Sequence, residues 1–338
     1  MINPVSISTV TPVYRGAKYL DELIRELSLF KTSLKETYPG LVLQESIFVL
    51  DNPVDNSSDL LEEITKDIPW ITVLTLSRNF GQHPATICGI LHSSSDWVVT
   101  LDEDLQHKPS FIIELLRSAV LHDEDICYAN PEASTHKSFF KDFVARSFKR
   151  TMAVLLKNPN INFFNSFRIV RGDIARAASA ICRHETYLDV ALSWFTTRVN
   201  HVVIPLVDKR NASKSGESGY SVIGLIRHAK RMLMSSKVKI FRIGIPLGVL
   251  AFSVSILLAF YAISATILNF ETVFNKGWTS TILAVLFFGG LTSLLTGFAL
   301  ETISEVLISV NGKPTFFVVD RTKDQLIKEM LLNNNNPV

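Results

Sequence analysis

Cysteine is scarce in this sequence of 338 residues. Its three cysteines, Cys88, Cys127 and Cys182, are odd in number and widely spaced, which argues against a disulfide framework and a cysteine-based zinc site. A basic surplus is lacking as well, because 34 Lys and Arg face 32 Asp and Glu, a net charge of +2. Proteins that bind nucleic acid generally carry such a surplus, so we expect no nucleic-acid partner.

Charged residues are missing from two stretches near the C-terminus, residues 243–270 and 278–300. Each is long enough for a bilayer core, which needs about 20 apolar residues. We therefore predict transmembrane helices at 243–270 and 277–302. The alternative, two buried helices of a soluble core, is disfavoured because such helices rarely exceed about 14 apolar residues without a charge.

The charges that flank these stretches predict their orientation. Residues 226–242 are rich in Lys and Arg, whereas the short connection between the two stretches holds one Glu and one Lys. The positive-inside rule then places both flanks in the cytoplasm. Residues 1–14 have neither a basic start nor a long apolar run, so no secretory leader is expected. We expect a multi-pass protein of the inner (cytoplasmic) membrane, with both termini in the cytoplasm.

The expected domain plan follows from these segments. Residues 1–225 form a cytosolic domain, 226–242 a basic juxtamembrane segment, and 303–338 a cytosolic tail. Within the domain, residues 138–156 place aromatic and aliphatic side chains on one face and Lys and Arg elsewhere, a pattern typical of a helix in the membrane interface. The alternative is a helix packed on the core of its own domain.

Short β-branched runs alternate with amphipathic stretches over the first 100 residues. This alternation predicts an α/β fold with a mostly parallel sheet. Ligands of such sheets bind at the carboxyl ends of the strands, so the polar residues after each predicted strand are candidates for a site. They are Asp51 after the second, Arg78 after the third, and Asp102, Asp104 and Gln106 after the fourth. The chain lacks both G-x-G-x-x-G and the P-loop motif, which excludes those two phosphate cradles.

The Asp-x-Asp-x-Gln sequence at 102–106 offers hard oxygen ligands for a divalent cation that binds a diphosphate. The alternative is that these residues cap the following helix, because Asp favours N-cap positions. Their place directly after a strand, with Arg78 after the neighbouring strand, favours the metal site.

Several segments, in order, resemble the family-two glycosyltransferases of the GT-A fold. They are ISTVTPVY (7–14), FVLDNPVDNSSD (48–59), SRNFGQH (77–83), TLDEDLQHKP (100–109), SFR (166–168) and GESGYS (216–221). The chain is most similar to polyprenyl-phosphate glycosyltransferases, such as bactoprenol glucosyltransferases and dolichol-phosphate mannose synthases, with two C-terminal spans. The resemblance implies a Rossmann-like GT-A domain followed by a transmembrane hairpin.

The resemblance also assigns roles to individual residues. Asp104 and Gln106, with Asp102, would hold Mg²⁺ or Mn²⁺ on the diphosphate of a nucleotide-sugar donor. The catalytic set would be Asp104, Ser166 and Arg168. Other residues would bind the donor nucleotide (Pro12, Tyr14, Asp51, Arg78 and Asp102) or the acceptor phosphate (Arg210, Ser218 and Tyr220).

The reaction implied is attack of a polyprenyl phosphate (undecaprenyl or dolichyl) on the sugar, with inversion, in cell-envelope or O-antigen glycan modification. Ser166 stands where many members have Asp. A phosphate acceptor tolerates this change, because a phosphate with a second pKa near ~6 needs no general base. We expect glucose from UDP-glucose, with mannose, N-acetylhexosamines and aminoarabinose as alternatives. The resemblance also favours a homo-oligomer.

Three further hypotheses are open. One, a soluble transferase that uses hydroxyl acceptors, is opposed by the two predicted spans. A processive polysaccharide synthase would normally carry Q-x-x-R-W and more spans, which this sequence lacks. A catalytically impaired membrane scaffold is suggested by Ser166 and by Arg15-Gly16-Ala17 in the first loop. In the second apolar stretch, Gly289, Ser293 and Gly297 share one helix face and would let another helix approach closely.

Overall fold

A computed structural model of the chain describes residues 4–131, 159–183, 186–205, 244–268, 278–310, 318 and 321–333. The chain divides into two compact units. One combines Met1–Ser235 with Lys313–Val338, and the other is Ser236–Gly312. The predicted interfacial helix at 138–156 and the basic segment at 226–242 lie outside the described residues.

The first unit is built on a seven-stranded sheet with the order β3-β2-β1-β4-β6-β5-β7. Strand β6 runs antiparallel to β4 and β5, and the other neighbours are parallel. The predicted fold class, a mostly parallel α/β sheet, is therefore confirmed. The strands are β1 (Val5–Val13), β2 (Leu41–Leu50), β3 (Ile71–Thr75), β4 (Trp97–Thr100), β5 (Ile126–Pro131), β6 (Arg168–Arg171) and β7 (Val199–Ile204).

Helices cover both faces of this sheet. The first six are α1 (Leu20–Thr37), α2 (Ser57–Thr65), α3 (Gln82–His92), α4 (Ile112–Leu121), α5 (Gly172–Ile181) and α6 (Leu188–Phe195). One core cluster contains apolar residues of α1, α2 and α4, and the other contains residues of α3, α5 and α6. In α1, for example, Leu20, Leu23, Leu27 and Leu34 are buried, which is the helical spacing that creates a single apolar face.

The direction of β6 fixes which residues share an edge of the sheet. We call the side where β1–β4 end the carboxyl edge and the side where they begin the amino edge. Arg168 pairs with Thr100 at the end of β4, and Arg171 pairs with Trp97 at its start. Arg168 therefore lies on the carboxyl-edge side and Arg171 lies at the amino edge.

A helix from the C-terminal end of the chain completes this unit. Helix α9, Asp324–Asn333, buries Ile327 and Leu331 in the same core cluster as α1 and α4. Asp324 accepts two hydrogen bonds from Arg171, each 2.9 Å long. The segment predicted as a cytosolic tail is therefore an integral part of the sheet domain, because its apolar face is needed to cover the core.

The second unit contains α7, Gly244–Ile267, and α8, Trp278–Val310. The two helices approach closely at Gly248 and Gly290, where an added Cβ would lie within 3 Å of the backbone of the facing helix. Ser255 Oγ also donates to the Leu283 carbonyl at 3.2 Å. A Cβ added at Gly289, which we predicted to support close packing, would have no atom within 4 Å, so its neighbour Gly290 takes that place in this pair.

One helix among the described residues has the length and composition of a membrane span. It is Ser280–Ile303 within α8, with a mean hydropathy of 2.0 over an 18-residue window that is only 11% buried. The apolar stretch of α7, Gly248–Ser264, is shorter. The predicted span at 243–270 is therefore not confirmed and stays a prediction.

Candidate active site

Three of the sequence motifs meet at Asp102, directly after β4. The Gln82 side-chain amide, at the start of α3, donates to Asp102 Oδ1 at 2.7 Å. The Ser166 hydroxyl, just before β6, donates to Asp102 Oδ2 at 2.6 Å. The structure thus brings Asp102 and Ser166, two of the predicted site residues, into contact. Gln82 belongs to the SRNFGQH motif, but no pattern in the sequence indicated a contact for it.

The loop after Asp102 has a constrained backbone. Leu105 has a φ of 56°, which is unusual for a residue other than glycine. This conformation costs about 1–3 kcal/mol and persists only where the surroundings hold it in place. The buried Leu105 side chain provides that anchor, and the buried Asp104 accepts a hydrogen bond from the Gln106 backbone N–H at 3.2 Å. The strain lies between the two residues predicted to bind the metal.

The residues at this edge fit a cation that is shared with a substrate. Within the described part of the chain, no three His, Cys, Asp or Glu side chains lie close enough to hold a metal ion by themselves. Mg²⁺ is commonly bound by one or two carboxylates together with substrate phosphates. Asp104 and Gln106, with Asp102 nearby in the sequence, supply that kind of partial donor set, so binding would need the diphosphate as well.

Glu103 ties this loop to the loop after β1. Its Oε2 accepts the Tyr14 N–H at 2.8 Å, and its Oε1 accepts the Arg15 N–H at 3.1 Å. Burial raises the pKa of Glu103, while these two N–H groups act in the opposite direction. A side chain at Gly16 would place its Cβ 2.7 Å from Glu103 Oε2, so the Arg15-Gly16-Ala17 sequence fits the close approach of the two loops. Sequence reasoning missed this role of Glu103.

Asp51, after β2, supports the neighbouring loop. It is 2% exposed, and its two carboxylate oxygens accept the backbone N–H groups of Phe80 at 2.6 Å and Gly81 at 2.8 Å. Gly81 has a φ of 97°, a conformation that favours glycine. The expected contact of Asp51 with a base or ribose stays a prediction, because here both oxygens accept hydrogen bonds from the protein backbone.

Exposed aromatic and basic side chains lie at the same edge. Tyr14 is 36% exposed after β1, with the Arg15 guanidinium 5.5 Å from its ring. The exposed Arg78 guanidinium lies 4.1 Å from the centre of the Phe80 ring. Pro12, by contrast, is buried within β1. Tyr14 and Arg78 are thus both exposed at the carboxyl edge, and their contact with a nucleotide stays a prediction.

Arg168, which the resemblance assigned to the catalytic set, is buried in this structure. It is 3% exposed, and its guanidinium is paired with Asp189 of α6. Its catalytic role stays a prediction. Burial by itself lowers the pKa of Arg168, but the Asp189 carboxylate outweighs this effect and raises it. Because the pair is enclosed in the core, Arg168 stabilises the domain rather than presenting its charge at the edge. The predicted acceptor-binding residues, Arg210, Ser218 and Tyr220, lie outside the described residues.

Comparison with known proteins identifies the family of this chain. The sequence profile described as glycosyl transferase family 2 matches residues 8–177, just over half of the chain. Undecaprenyl-phosphate 4-deoxy-4-formamido-L-arabinose transferase of Pseudomonas fluorescens (strain SBW25) is 25% identical over 327 residues, covering 94% of this chain and 90% of that protein. The uncharacterized glycosyltransferase sll0501 of Synechocystis is 25% identical over 316 residues, covering 94% and 95%.

A solved structure is similar over part of the chain. The crystal structure of Staphylococcus aureus TarS residues 1–349 aligns with a TM-score of 0.42 and 14% identity, covering 60% of this chain and 59% of that one. The family match spans β1 to β4, the Asp102 loop, Ser166 and β6, which are the elements that build the carboxyl edge. The chain therefore belongs to glycosyl transferase family 2 and is a glycosyltransferase.

Proposed function

We propose that this protein transfers a sugar from a nucleotide-sugar donor to a polyprenyl phosphate, undecaprenyl phosphate in a bacterial membrane. The observation that carries the proposal is the convergence of Gln82, Asp102 and Ser166 at the carboxyl edge. The names of the relatives support undecaprenyl phosphate as the acceptor, since two similar proteins are described as undecaprenyl-phosphate transferases. The exposed Tyr14 and Arg78 provide an aromatic and a cationic group for the nucleotide.

Asp104 and Gln106, with Asp102, are the residues that would hold Mg²⁺ or Mn²⁺. When bound, the cation offsets the charge that develops on the departing nucleoside diphosphate. The hydrogen bond from the Gln106 N–H and the strained Leu105 backbone fix the orientation of Asp104 before substrate arrives. Such preorganisation lowers the cost of assembling the site around the donor.

The environment of Ser166 favours a phosphate acceptor over an alcohol. Its hydroxyl donates to Asp102, and a serine hydroxyl is itself a weak base. An alcohol acceptor needs a group that removes its proton. A phosphate monoester, with a second pKa near ~6, is already deprotonated in large part at neutral pH. Ser166 therefore serves to position Asp102, and the acceptor brings its own nucleophilic oxygen.

The identity of the transferred sugar is a separate part of the proposal. Glucose from UDP-glucose is the donor expected from the family resemblance, and a nucleotide-linked 4-deoxy-4-formamido-L-arabinose is suggested by the names of two relatives. Mannose and N-acetylhexosamines are the remaining candidates. A panel of these nucleotide sugars, each tested with undecaprenyl phosphate, distinguishes them by the rate of lipid-linked product formation.

The return of α9 to the sheet domain supports a two-span topology. Helix α8 precedes α9 in the chain, and α9 belongs to the same compact unit as β1–β7. A domain that lies on one side of a membrane requires an even number of crossings between its two parts. If α8 crosses the bilayer, α7 is the described apolar helix available for the other crossing. We propose that both termini lie in the cytoplasm, where nucleotide sugars are available. The expected homo-oligomer is a separate point and stays a prediction.

The test is transfer of labelled sugar to undecaprenyl phosphate by the full-length protein in membranes. We expect transfer to require Mg²⁺ or Mn²⁺ and to fall by at least about 100-fold in Asp104→Ala, because one essential charge contact is lost. Asp67→Ala, which removes an exposed carboxylate just before β3, is the matched control and should keep wild-type turnover. Equal turnover in Asp104→Ala and wild type would overturn the metal assignment. No transfer from any donor would favour the impaired scaffold.

A further inference from the structure

A chain of aromatic side chains leads from the core to the surface of the sheet domain. The ring centres of His83 and Tyr187 lie 4.5 Å apart, and those of Tyr187 and Phe164 lie 6.3 Å apart. Phe164 in turn lies 5.7 Å from the buried Tyr128. We call His83, Phe164 and Tyr187 the aromatic wall. All three are partly exposed, so the wall continues from the core to the surface.

The aromatic wall is adjacent in sequence to the hydrogen-bonded residues of the site. His83 directly follows Gln82, and Phe164 precedes Ser166 by two residues. Gln82 and Ser166 both donate to Asp102. The backbone therefore keeps the wall close to the place where the amide, hydroxyl and carboxylate groups meet.

A buried polar group holds the wall in position. Tyr187 immediately precedes α6, and Asp189 in the first turn of that helix is paired with Arg168. Tyr128 also donates its hydroxyl to Asp189 at 2.7 Å. Burial raises the pKa of Tyr128, so the hydroxyl stays protonated and can donate. Fixing Asp189 fixes the start of α6, and with it the backbone at Tyr187.

Aromatic faces beside a few oriented polar groups suit a sugar. Ligand pockets combine mostly apolar and aromatic walls with a small number of placed hydrogen-bonding groups. A pyranose offers both: hydroxyls for amides and carboxylates, and a C–H face for an aromatic ring. A polyprenyl chain is purely apolar and makes no use of the polar groups beside this wall.

We propose that the aromatic wall binds the sugar of the nucleotide-sugar donor, with Tyr187 as its central residue and Arg168 and Asp189 as positioning residues. This inference rests on the proposed function, since it requires a nucleotide-sugar donor at the carboxyl edge. It assigns Arg168 a role through Tyr187 that does not require contact with substrate.

The test measures how much the sugar adds to donor affinity. Full-length protein in detergent, with Mn²⁺, is titrated calorimetrically with UDP and with UDP-glucose. We expect Tyr187→Ala to weaken UDP-glucose binding about fivefold to tenfold, in line with the loss of an aromatic contact, and to leave UDP affinity within about twofold. Tyr187→Phe keeps the ring and should restore donor affinity, which separates the ring from the hydroxyl.

The positioning role has its own readout. Asp189→Asn, which keeps a hydrogen-bond acceptor while removing the charge, should weaken UDP-glucose binding about threefold to fivefold and spare UDP. Melting curves identify variants that fail to fold. If Asp189→Asn fails to fold, the comparison of Tyr187→Ala with Tyr187→Phe still decides the wall assignment. Equal effects of Tyr187→Ala on UDP and UDP-glucose, no effect on either, or a raised KM for undecaprenyl phosphate alone would overturn the wall assignment. Wild-type protein that binds neither UDP nor UDP-glucose would instead refute the proposed donor, and the wall with it.

Discussion

The two edges of the sheet both contain carboxylates, but the groups that contact them differ. At the carboxyl edge, Asp51 and Glu103 accept hydrogen bonds from backbone N–H groups. Asp102 accepts hydrogen bonds from a side-chain amide and a hydroxyl. At the amino edge, Asp125 and Asp324 are paired with arginines. Neutral donors orient a carboxylate without cancelling its charge, whereas arginine and lysine cancel it. The first arrangement suits an edge that binds a cation and a substrate, and the second suits a structural joint.

The amino-edge pairs join parts of the chain that are far apart in sequence. Arg321 Nη2 lies 2.5 Å from Asp125 Oδ1, and Lys323 Nζ lies 2.9 Å from both oxygens of Asp96. The second of these pairs spans 227 positions. These contacts tie the segment after α8 to the start of β4 and β5. The comparison therefore predicts that amino-edge changes affect folding and carboxyl-edge changes affect turnover.

The largest expected effect is at the amino edge, in Asp324→Ala. Arg171 would stay buried but lose both of its hydrogen bonds to Asp324. Removing one partner of a buried ion pair typically lowers the free energy of unfolding by about 3–5 kcal/mol. We expect a clear fall in melting temperature of the detergent-solubilised protein, with turnover per folded molecule preserved. Glu329→Ala, an exposed position on the same helix, is the control and should change stability by less than about 0.5 kcal/mol. A similar melting temperature for both variants would show that α9 does not stabilise the domain.

The next effect is at the carboxyl edge, in Ser166→Ala. This change removes one hydrogen bond to Asp102, and a hydrogen bond to a charged group is worth about 1.5–3 kcal/mol. We expect kcat to fall about tenfold or more while the melting temperature stays close to that of wild type. Ser179→Ala, at a buried hydroxyl of α5 for which no hydrogen bond to Asp102 is found, controls for loss of a serine. A loss of stability without a loss of kcat in Ser166→Ala would contradict the division between the edges.

The smallest effect is a pH dependence of the Lys323–Asp96 contact. Burial alone would raise the pKa of Asp96, but hydrogen bonds from Lys323 and Ser6 outweigh burial and hold the pKa below its usual value. A carboxylate with a depressed pKa stabilises the fold above its ordinary pKa, and that stability is lost as the pH falls through its folded-state pKa. Because the pair is partly exposed, we expect no more than about 1 kcal/mol. The difference in melting temperature between wild type and Asp96→Asn should be present at neutral pH and shrink in acid, as the pH falls through the lowered folded-state pKa of Asp96. A difference that stays constant with pH would exclude this linkage.

Much of the carboxyl edge could be predicted from sequence because its residues follow strands within recognisable motifs. Asp102 and Ser166 were expected in the site and lie together. The burial of Arg168 could not be predicted, because it depends on Asp189, 21 positions later. No local pattern indicates that pairing. Tyr187 was missed for the same reason, since its neighbours His83 and Phe164 come from separate parts of the chain.

The sequence alone determined the fold class, the positions of strands β1 to β4 along the chain and the two apolar helices, because hydrophobic periodicity and motif spacing are local properties. The expectation that the strand before Arg78 neighbours the strand before Asp102 was wrong, because β2 and β1 lie between β3 and β4 in the sheet. Tertiary structure decided at which edge of the sheet each charged residue lies. A single antiparallel strand, β6, sends Arg168 and Arg171 towards opposite edges although only two residues separate them. It also decided that α9 closes the domain, because an amphipathic helix acquires its partner only when the rest of the core has formed.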